Sequence, residues 1–342
     1  MSLGTVSRVF NGAEVGEDYR RRVEEASARL GYHLNTYARA LKIQRSMCIA
    51  LVLPSLRHPF FARLADELTA ALARENYRSL LMITNYDEQS EQRCFALARQ
   101  NIVEGVFALT YSPDFEQLGS IPVVSFDRQH SDRIPCVASD NFAGGRMAAE
   151  RLIALGCRRL LFLRIGPVIC GEVERRGLGF ESACKDAGVP HELFQVNDTE
   201  TEAPIYRFLD KHVHEGRFEF DGIFCNTDGL ALRVMKYLAE KNIRIPDDVQ
   251  LIGYDGILDF ATGDYVCSTI VQPVPQMAAK AVDLLLHIDQ AGECRGVYRF
   301  PVQYAAGGTT REPRTSSRFS AEAQIFDPFR KLDRTVPLPE NR

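Results

Sequence analysis

At 342 residues, with 45% hydrophobic and 25% charged side chains, the chain exceeds what one ordinary core holds and predicts two or three globular domains. Its net charge of −4 argues against wholesale coating of nucleic acid, no apolar run approaches the roughly 18–20 residues that span a bilayer, and the N-terminus lacks the basic-then-apolar layout of a signal peptide. The charge is unevenly placed: residues 1–46 carry a balance of +3 and the remainder −7, a basic head on an acidic body. Nine cysteines stand singly, with no CxxC pair. That spacing suggests neither a zinc knuckle nor a disulfide framework, and predicts a cytoplasmic protein with buried thiols.

The first predicted element is a short helix over Thr5–Gly12 with a Val6/Val9/Phe10 stripe, too short to stand alone in water. A second helix, Glu17 to Leu30, aligns Val23, Ala26 and Leu30 and stops at Gly31. LNTYARALKIQRS follows, a basic segment with Ala38 and Leu41 as its apolar points. From Met47 strands and helices alternate. MCIALVLP, SLLMITNY, GVFALT and PVVSFD read as strands, interleaved with the helix FFARLADELTAALARE and a helix around Glu88–Gln100. A second set begins near Asp140 with helix GGRMAAERLIAL, strand RRLLFLRI, helix RRGLGFESACKDA, strand DGIFCN, helix GLALRVMKYLAEK and strand VQLIGYD. Helix Pro275–Leu286 and strand VYRFPVQY close the pattern, and residues from Pro313 on read as a poorly ordered tail. Apolar strands alternating with helices predict an α/β protein with two doubly wound parallel-sheet lobes, preceded by a small all-α head.

The motifs point to binding and not to turnover. GPVICGEV has P-loop glycine spacing without the Lys and Ser/Thr, and no GxSxG, HExxH or histidine cluster is present, so the sequence offers no catalytic team, metal set or cofactor. Asn141-Phe-Ala-Gly-Gly145 opens a helix whose N–H groups could hold an anion, although such glycines more often permit close packing. Asp127, Thr227, Asp228 and Asp255 each follow a predicted strand. In open α/β sheets ligands bind outside those strand ends, and Asp carboxylates suit vicinal hydroxyls. One such residue alone would as readily cap a helix, but several from both lobes favour a polar small ligand in one crevice.

The stretches GTVSRVFNG, RRRVEEASARLGYHLN, NTYARALKIQRS, PSLRHPFFARL, IPVVSFDR, SDNFAGGRMAAERLIALGCRR, RRGLGF, CNTDGLAL and IPDDVQLIGYDG resemble, in order from Leu3 to about Arg311, the lactose-repressor (LacI/GalR) family of bacterial transcription regulators. The resemblance implies a partial helix-turn-helix at 1–34, a hinge helix at 35–46, a two-lobed effector core at 47–312 and a tail at 313–342. Within the core it implies lobe 1 at 47–140 and 274–301, and lobe 2 at 141–273 and 302–312. It assigns Leu3, Gly4 and Arg8 to base edges, Thr5, Ser7 and Asn11 to phosphates, and Asn35, Ala38 and Leu41 to the hinge on DNA, with Leu41 wedging the minor groove. It places Asp127, Arg176, Thr227 and Asp255 around an effector, a sugar or sugar derivative, with Phe60 as an apolar wall. The partners so implied are operator DNA, the effector and a second copy of the chain, with no membrane. A periplasmic-type sugar carrier would share the body, but would need an export signal and would tolerate free thiols poorly.

Departures from the family pattern are specific. His58 replaces the usual Asn before Pro-Phe-Phe, Leu34 replaces a common Pro, Thr227 stands where Asn often meets the effector, and no Trp is present to stack on a sugar. The family's first helix and turn do not precede Leu3, so the chain reads as a shortened form whose Thr5–Asn11 helix is expected to be frayed or displaced and to bind operator weakly. Spare apolar residues on FFARLADELTAALARE and PQMAAKAVDLLLHI predict a side-by-side dimer, and the tail lacks the heptads of a tetramerising coil.

Overall fold

The computed structural model describes residues 2–10, 14–31, 45–109, 121–129, 131, 134–166, 171–197, 203–287 and 296–312. They form two compact units, Met1–Met47 and Cys48–Arg342. In the first, helix α1 (Leu3–Phe10) packs beside helix α2 (Glu17–Leu30). The sequence places α1 two residues later and frayed. It is instead a formed helix, because Ser2 Oγ accepts the Thr5 N–H at 3.2 Å and shares a hydrogen bond with the Thr5 hydroxyl at 2.9 Å. In α2, Glu17 and Asp18 sit at the positive end of the helix dipole and Val23 is the buried residue. Gly31 closes it at φ 58°, a left-handed position that spares glycine the Cβ penalty. The expected hinge falls largely outside the described residues; Arg45–Met47 belong to no helix.

The second unit runs β1 (Cys48–Leu53), α3 (Pro59–Arg74), β2 (Arg78–Ile83), α4 (Glu88–Leu97) ending in one π-turn, β3 (Gly105–Ala108), β4 (Val123–Phe126) and β5 (Cys136–Ser139). It continues with α5 (Asn141–Ala154), β6 (Leu160–Ile165), α6 (Arg175–Ala187), β7 (His191–Val196), α7 (Ala203–Lys211), the hairpin β8 (Val213–His214) and β9 (Arg217–Phe218), and β10 (Gly222–Cys225). Last come α8 (Asp228–Glu240), β11 (Gln250–Asp255), β12 (Thr269–Val271), α9 (Val274–Leu286), β13 (Val297–Phe300) and β14 (Gln303–Ala305). Two six-stranded sheets result, ordered β13-β5-β4-β3-β1-β2 and β14-β12-β11-β10-β6-β7, parallel except where β14 meets β12. This is the two-lobed α/β architecture that the alternating pattern implies.

Five strands go unread in the sequence, among them the two-residue hairpin strands β8 and β9. CVAS, HELFQV and TIV are too short or too mixed to show a period, and VYRFPVQY, read as one strand, is two. Pro301 has no N–H to donate, so the ladder stops there and the chain crosses from the first sheet to the second. Helices α3 and α9 also differ from expectation. Phe61, Leu64, Leu68 and Leu72 pack with Met277, Ala281 and Leu285 in one buried cluster, so these apolar residues are consumed within lobe 1. Among the exposed apolar side chains of the second unit, three lie together on edge strand β2, at Leu80, Leu81 and Ile83, with others scattered at Leu56, Ile102, Leu178, Leu232 and Phe260.

In lobe 2 the NFAGG glycines serve packing. Asp140 Oδ1 already accepts the Ala143 N–H at 3.0 Å, and α5 presses against α6. A Cβ on Gly145 would lie 1.9 Å from the Arg176 carbonyl oxygen, and one on Gly179 would lie 2.0 Å from that of Phe142. Gly145→Ala should therefore cost about 3 kcal/mol or more, read as a lowered urea midpoint, because backbone and not a pliable side chain blocks the methyl. A change under about 0.5 kcal/mol would show that the helices are free to separate.

Candidate functional site

Between the carboxyl ends of the two sheets lies a cavity of about 220 Å³. Lobe 1 supplies its apolar wall: Phe60 and Phe61 from the start of α3, Leu109 after β3 and Phe126 at the end of β4. Lobe 2 supplies most of the polar floor, with Arg176 from the first turn of α6 at its centre. Arg176 is 3% exposed and fully oriented. Its Nε donates to Asn141 Oδ1 at 2.7 Å, its Nη1 donates to the Asn226 carbonyl at 2.6 Å, and its guanidinium lies 3.5 Å from the Tyr254 ring centroid. Nη1 stands 4.0 Å from Asp255 Oδ1.

Asp255 ends β11 and Asp127 follows β4, both at positive φ, 121° and 56°. Such backbone is costly for a side-chain-bearing residue and turns each carboxylate toward the cleft. Asp255 Oδ1 accepts from Gln272 Nε2 at 2.7 Å, and Gln272 Oε1 accepts from Ser139 Oγ at 2.5 Å. Asp140 N–H donates to the Phe300 carbonyl at 2.7 Å, so the three segments crossing between the lobes are laced together beneath the site. Asp255 Oδ2, Asp127 Oδ1 and His58 Nδ1 are buried with no hydrogen-bond partner among the described residues. These atoms come from both lobes and line the same cavity.

Burial pushes Asp127 up to about 6, against the opposing pull of Arg176. Asp255 is raised for the same reason, with Arg176 and the Gln272 hydrogen bond opposing. His58 is driven down to about 4 by burial and by the charges of Arg176 and Arg233. Its Nε2, 3.8 Å from Asp255 Oδ2, therefore belongs to a neutral ring near pH 7, and the two make a polar contact and not an ion pair. A second tie joins the lobes beside the cavity. The Glu172 N–H donates to the Asp127 carbonyl at 2.9 Å, while Glu172 accepts both Nε and Nη2 of Arg299 at 2.8 Å.

Phe60, Asp127, Arg176, Thr227 and Asp255 thus all line one cavity. Thr227 has a prior task, since its hydroxyl accepts the Leu230 N–H at 3.1 Å as the cap of α8. Asp228 does not reach the cavity. It is wholly buried, accepting from Ile257 N–H at 2.7 Å and from Thr269 Oγ1 at 2.6 Å. Sequence reasoning missed Asn226 and Gln272, which position Arg176 and Asp255, and also Arg164, whose Nη2 meets Glu174 at 2.8 Å in the cavity wall. On α1, Gly4 and Arg8 are exposed and Thr5 is half-buried. Of Leu3 and Ser7 only the backbone is described, and Asn11, Asn35, Ala38 and Leu41 lie outside the described residues. Among the described residues no helix is long and apolar enough to cross a membrane.

Asp127 makes stability depend on pH. Folded, it keeps its proton to about pH 6; unfolded, it releases it near 3.8. Between those values the folded state binds more protons, so the group's contribution to stability falls as pH rises from about 4 to about 6 and stays low above. Asp127→Asn should gain on the parent by roughly 2–3 kcal/mol across that window, read from urea midpoints. His58 acts in the opposite sense but is common to both proteins and cancels. A difference that does not change with pH would count against a buried, proton-retaining Asp127.

A family model described as a periplasmic binding protein-like domain matches residues 149–309. The ribose operon repressor of Bacillus subtilis is 32% identical over 323 residues, covering 91% of this chain and 96% of that protein. The sucrose operon repressor of Streptococcus mutans is 30% identical over 312 residues, covering 90% and 95%. Among solved structures, a periplasmic binding protein/LacI transcriptional regulator from Alkaliphilus metalliredigens, complexed with D-xylulofuranose, superposes with a TM-score of 0.67 at 26% identity, over 78% of this chain and 100% of that one. Similarity at this level over nearly the whole length of two operon repressors, on a two-lobed fold with a polar cleft, shows that the chain belongs to the LacI family of transcriptional regulators.

Proposed function

We propose that this regulator is an operon repressor that reads operator DNA through its N-terminal unit and a sugar or sugar derivative through the inter-lobe cleft, without turnover of that ligand. The observation that carries the reading is the set of orphaned atoms, Asp127 Oδ1, Asp255 Oδ2 and His58 Nδ1, around an Arg176 held rigid by Asn141 and Asn226. Buried polar atoms without partners are costly, and a ligand rich in hydroxyls satisfies several at once. Because they come from both lobes, such a ligand binds best at one lobe angle. The names of the ribose and sucrose operon repressors and the D-xylulofuranose complex support the same ligand class. Coupling of that angle to operator affinity would amount to about 1–3 kcal/mol.

A thermal-shift screen over sugars, sugar derivatives and nucleobases tests the cleft. Ligands that raise the melting temperature of the parent should fail to do so with Arg176→Ala or Asp255→Ala, and equal shifts in all three proteins would refute the assignment. For the N-terminal unit, Leu3, Gly4, Thr5, Ser7, Arg8 and Asn11 are the proposed operator contacts, with Asn35, Ala38 and Leu41 in the hinge. Arg8→Ala should weaken specific operator binding by about 1–3 kcal/mol in gel shifts at one salt concentration. Unchanged affinity would remove Arg8 from the recognition surface.

We further propose a homodimer, formed through edge strand β2 and not through the helix faces that the sequence suggested. Exposed Leu81 and Ile83 on one face and Leu80 on the other make an apolar edge on a strand whose outer side pairs with no other strand among the described residues. Sedimentation should show a micromolar-stable dimer that Leu81→Glu weakens at least about tenfold, equivalent to about 1.4 kcal/mol. A dimer indifferent to this change would place the interface elsewhere.

A further inference from the structure

Asp228 is a buried carboxylate to which the cleft gives no direct task. It is the first residue of α8, directly after the cavity-lining Thr227, and it is 0% exposed. A carboxylate in that setting is costly unless hydrogen bonds satisfy it, so its partners indicate its purpose. Its Oδ2 accepts the Ile257 N–H at 2.7 Å. Its Oδ1 accepts the Thr269 hydroxyl at 2.6 Å and the Cys267 thiol at 3.4 Å. Thr269 Oγ1 in turn accepts the Gly256 N–H at 3.2 Å. Both backbone donors belong to the turn that leaves β11 directly after Asp255.

That turn is strained. Asp255 stands at φ 121° and Gly256 at φ 77°, two successive residues at positive φ. Backbone of this kind persists only where its surroundings over-determine it. The hydrogen bonds that hold Gly256 and Ile257 do so here, beside the β11–β12 ladder that pairs Asp255 with Val271. Strand β11 is itself shaped around the carboxylate, since a Cβ on Gly253 would lie 2.2 Å from Asp228 Oδ1. Glycine inside a strand marks such a close approach. One carboxylate therefore ties the start of α8 to the end of β11, and the residues flanking the tie, Thr227 and Asp255, both line the cavity.

We propose that Asp228 is a positioning residue of the effector site: without touching the ligand, it holds the Asp255–Ile257 turn in its strained form and so keeps the Asp255 carboxylate facing Arg176. This rests on the reading of the cleft as the effector site. The test uses the full chain and two readouts. In hydrogen–deuterium exchange without ligand, the Gly256 and Ile257 amides should be protected in the parent. They should exchange at least about tenfold faster in Asp228→Asn, whose amide offers a donor where an acceptor is needed, while β6 and α3 keep their protection. In titration calorimetry with D-ribose, D-xylulose and sucrose, the sugar that binds the parent most tightly should bind Asp228→Asn at least about tenfold more weakly. Thr269→Val removes the hydroxyl between Asp228 and Gly256 and should reproduce both effects, whereas Thr269→Ser keeps it and should keep the parent's affinity. A merely structural Asp228 would lower the urea midpoint but leave the affinity of the folded protein unmoved. Should Asp228→Asn not fold, the Thr269 pair decides alone. Unprotected Gly256 and Ile257 amides in the parent, or parent-like sugar affinity in Asp228→Asn or Thr269→Val, would overturn the proposal and leave the cleft reading standing. No binding of the parent by any of the three sugars would defeat the cleft reading and the effector role of Asp228 together.

Discussion

Backbone meets backbone where α5 and α6 cross at Gly145 and Gly179. Each glycine admits the other helix's carbonyl to a distance no side chain tolerates. This contact fixes the first turn of α6, and with it the root of Arg176. It also brings Asn141, at the start of α5, to 2.7 Å from the Arg176 Nε. The chemistry of the cleft thus depends on an interaction with no chemistry of its own. Two hydrogen atoms in place of two methyl groups set the position of the central guanidinium.

From that point polar contacts spread in a connected order. Arg176 faces Asp255; Asp255 is held by Gln272; Gln272 reaches Ser139 at the first crossing between the lobes. The amide of Gln272 spends its donor on one partner and its acceptor on the other, so a change at Asp255 is felt where the lobes are joined. On the neighbouring edge Glu172 of lobe 2 grips Arg299 and the backbone of Asp127 in lobe 1. The lobes are therefore coupled both beneath the cavity and beside it, by groups whose geometry depends on the angle between them. That arrangement suits a protein whose output is a shape.

Much of this was legible in the sequence, for physical reasons that also mark where legibility ends. Long amphipathic helices such as α3 and continuous apolar strands such as β1 and β6 carry strong periodic signals. Polar residues directly after them, Asp127, Thr227 and Asp255, fall into one cavity because parallel sheets present the same end of every strand to the same side. Short buried strands such as CVAS and TIV carry no period. Asn226, Gln272 and Arg164 are silent because their importance is three-dimensional: an Asn carbonyl, an amide between two lobes and a charge inside an apolar strand have no partner within reach in the sequence. Asp228 misleads for the converse reason. It sits beside Thr227 in the chain, but the helix turn carries it away from the cleft into a buried set of hydrogen bonds.

The threefold passage of the chain between the sheets has a consequence for how the molecule is made. Strand β13 completes lobe 1 by pairing Val297 with Cys136, and α9 supplies seven of the 22 buried residues in that lobe's main apolar cluster. Neither segment exists when the ribosome has finished β5. At roughly 5–20 residues per second, synthesis of the intervening lobe occupies on the order of ten seconds, during which the first half of lobe 1 lacks both its edge strand and its covering helix. Lobe 2 also waits, for β14, but only a few residues longer. The usual order, in which the N-terminal domain folds first and alone, is closed to this topology. Lobe 1 can complete its native state only near the end of translation, and until then Phe61, Leu64 and Leu68 lack the part of their surroundings that α9 supplies. An emerging chain of this design is a natural client for a chaperone at the ribosome exit.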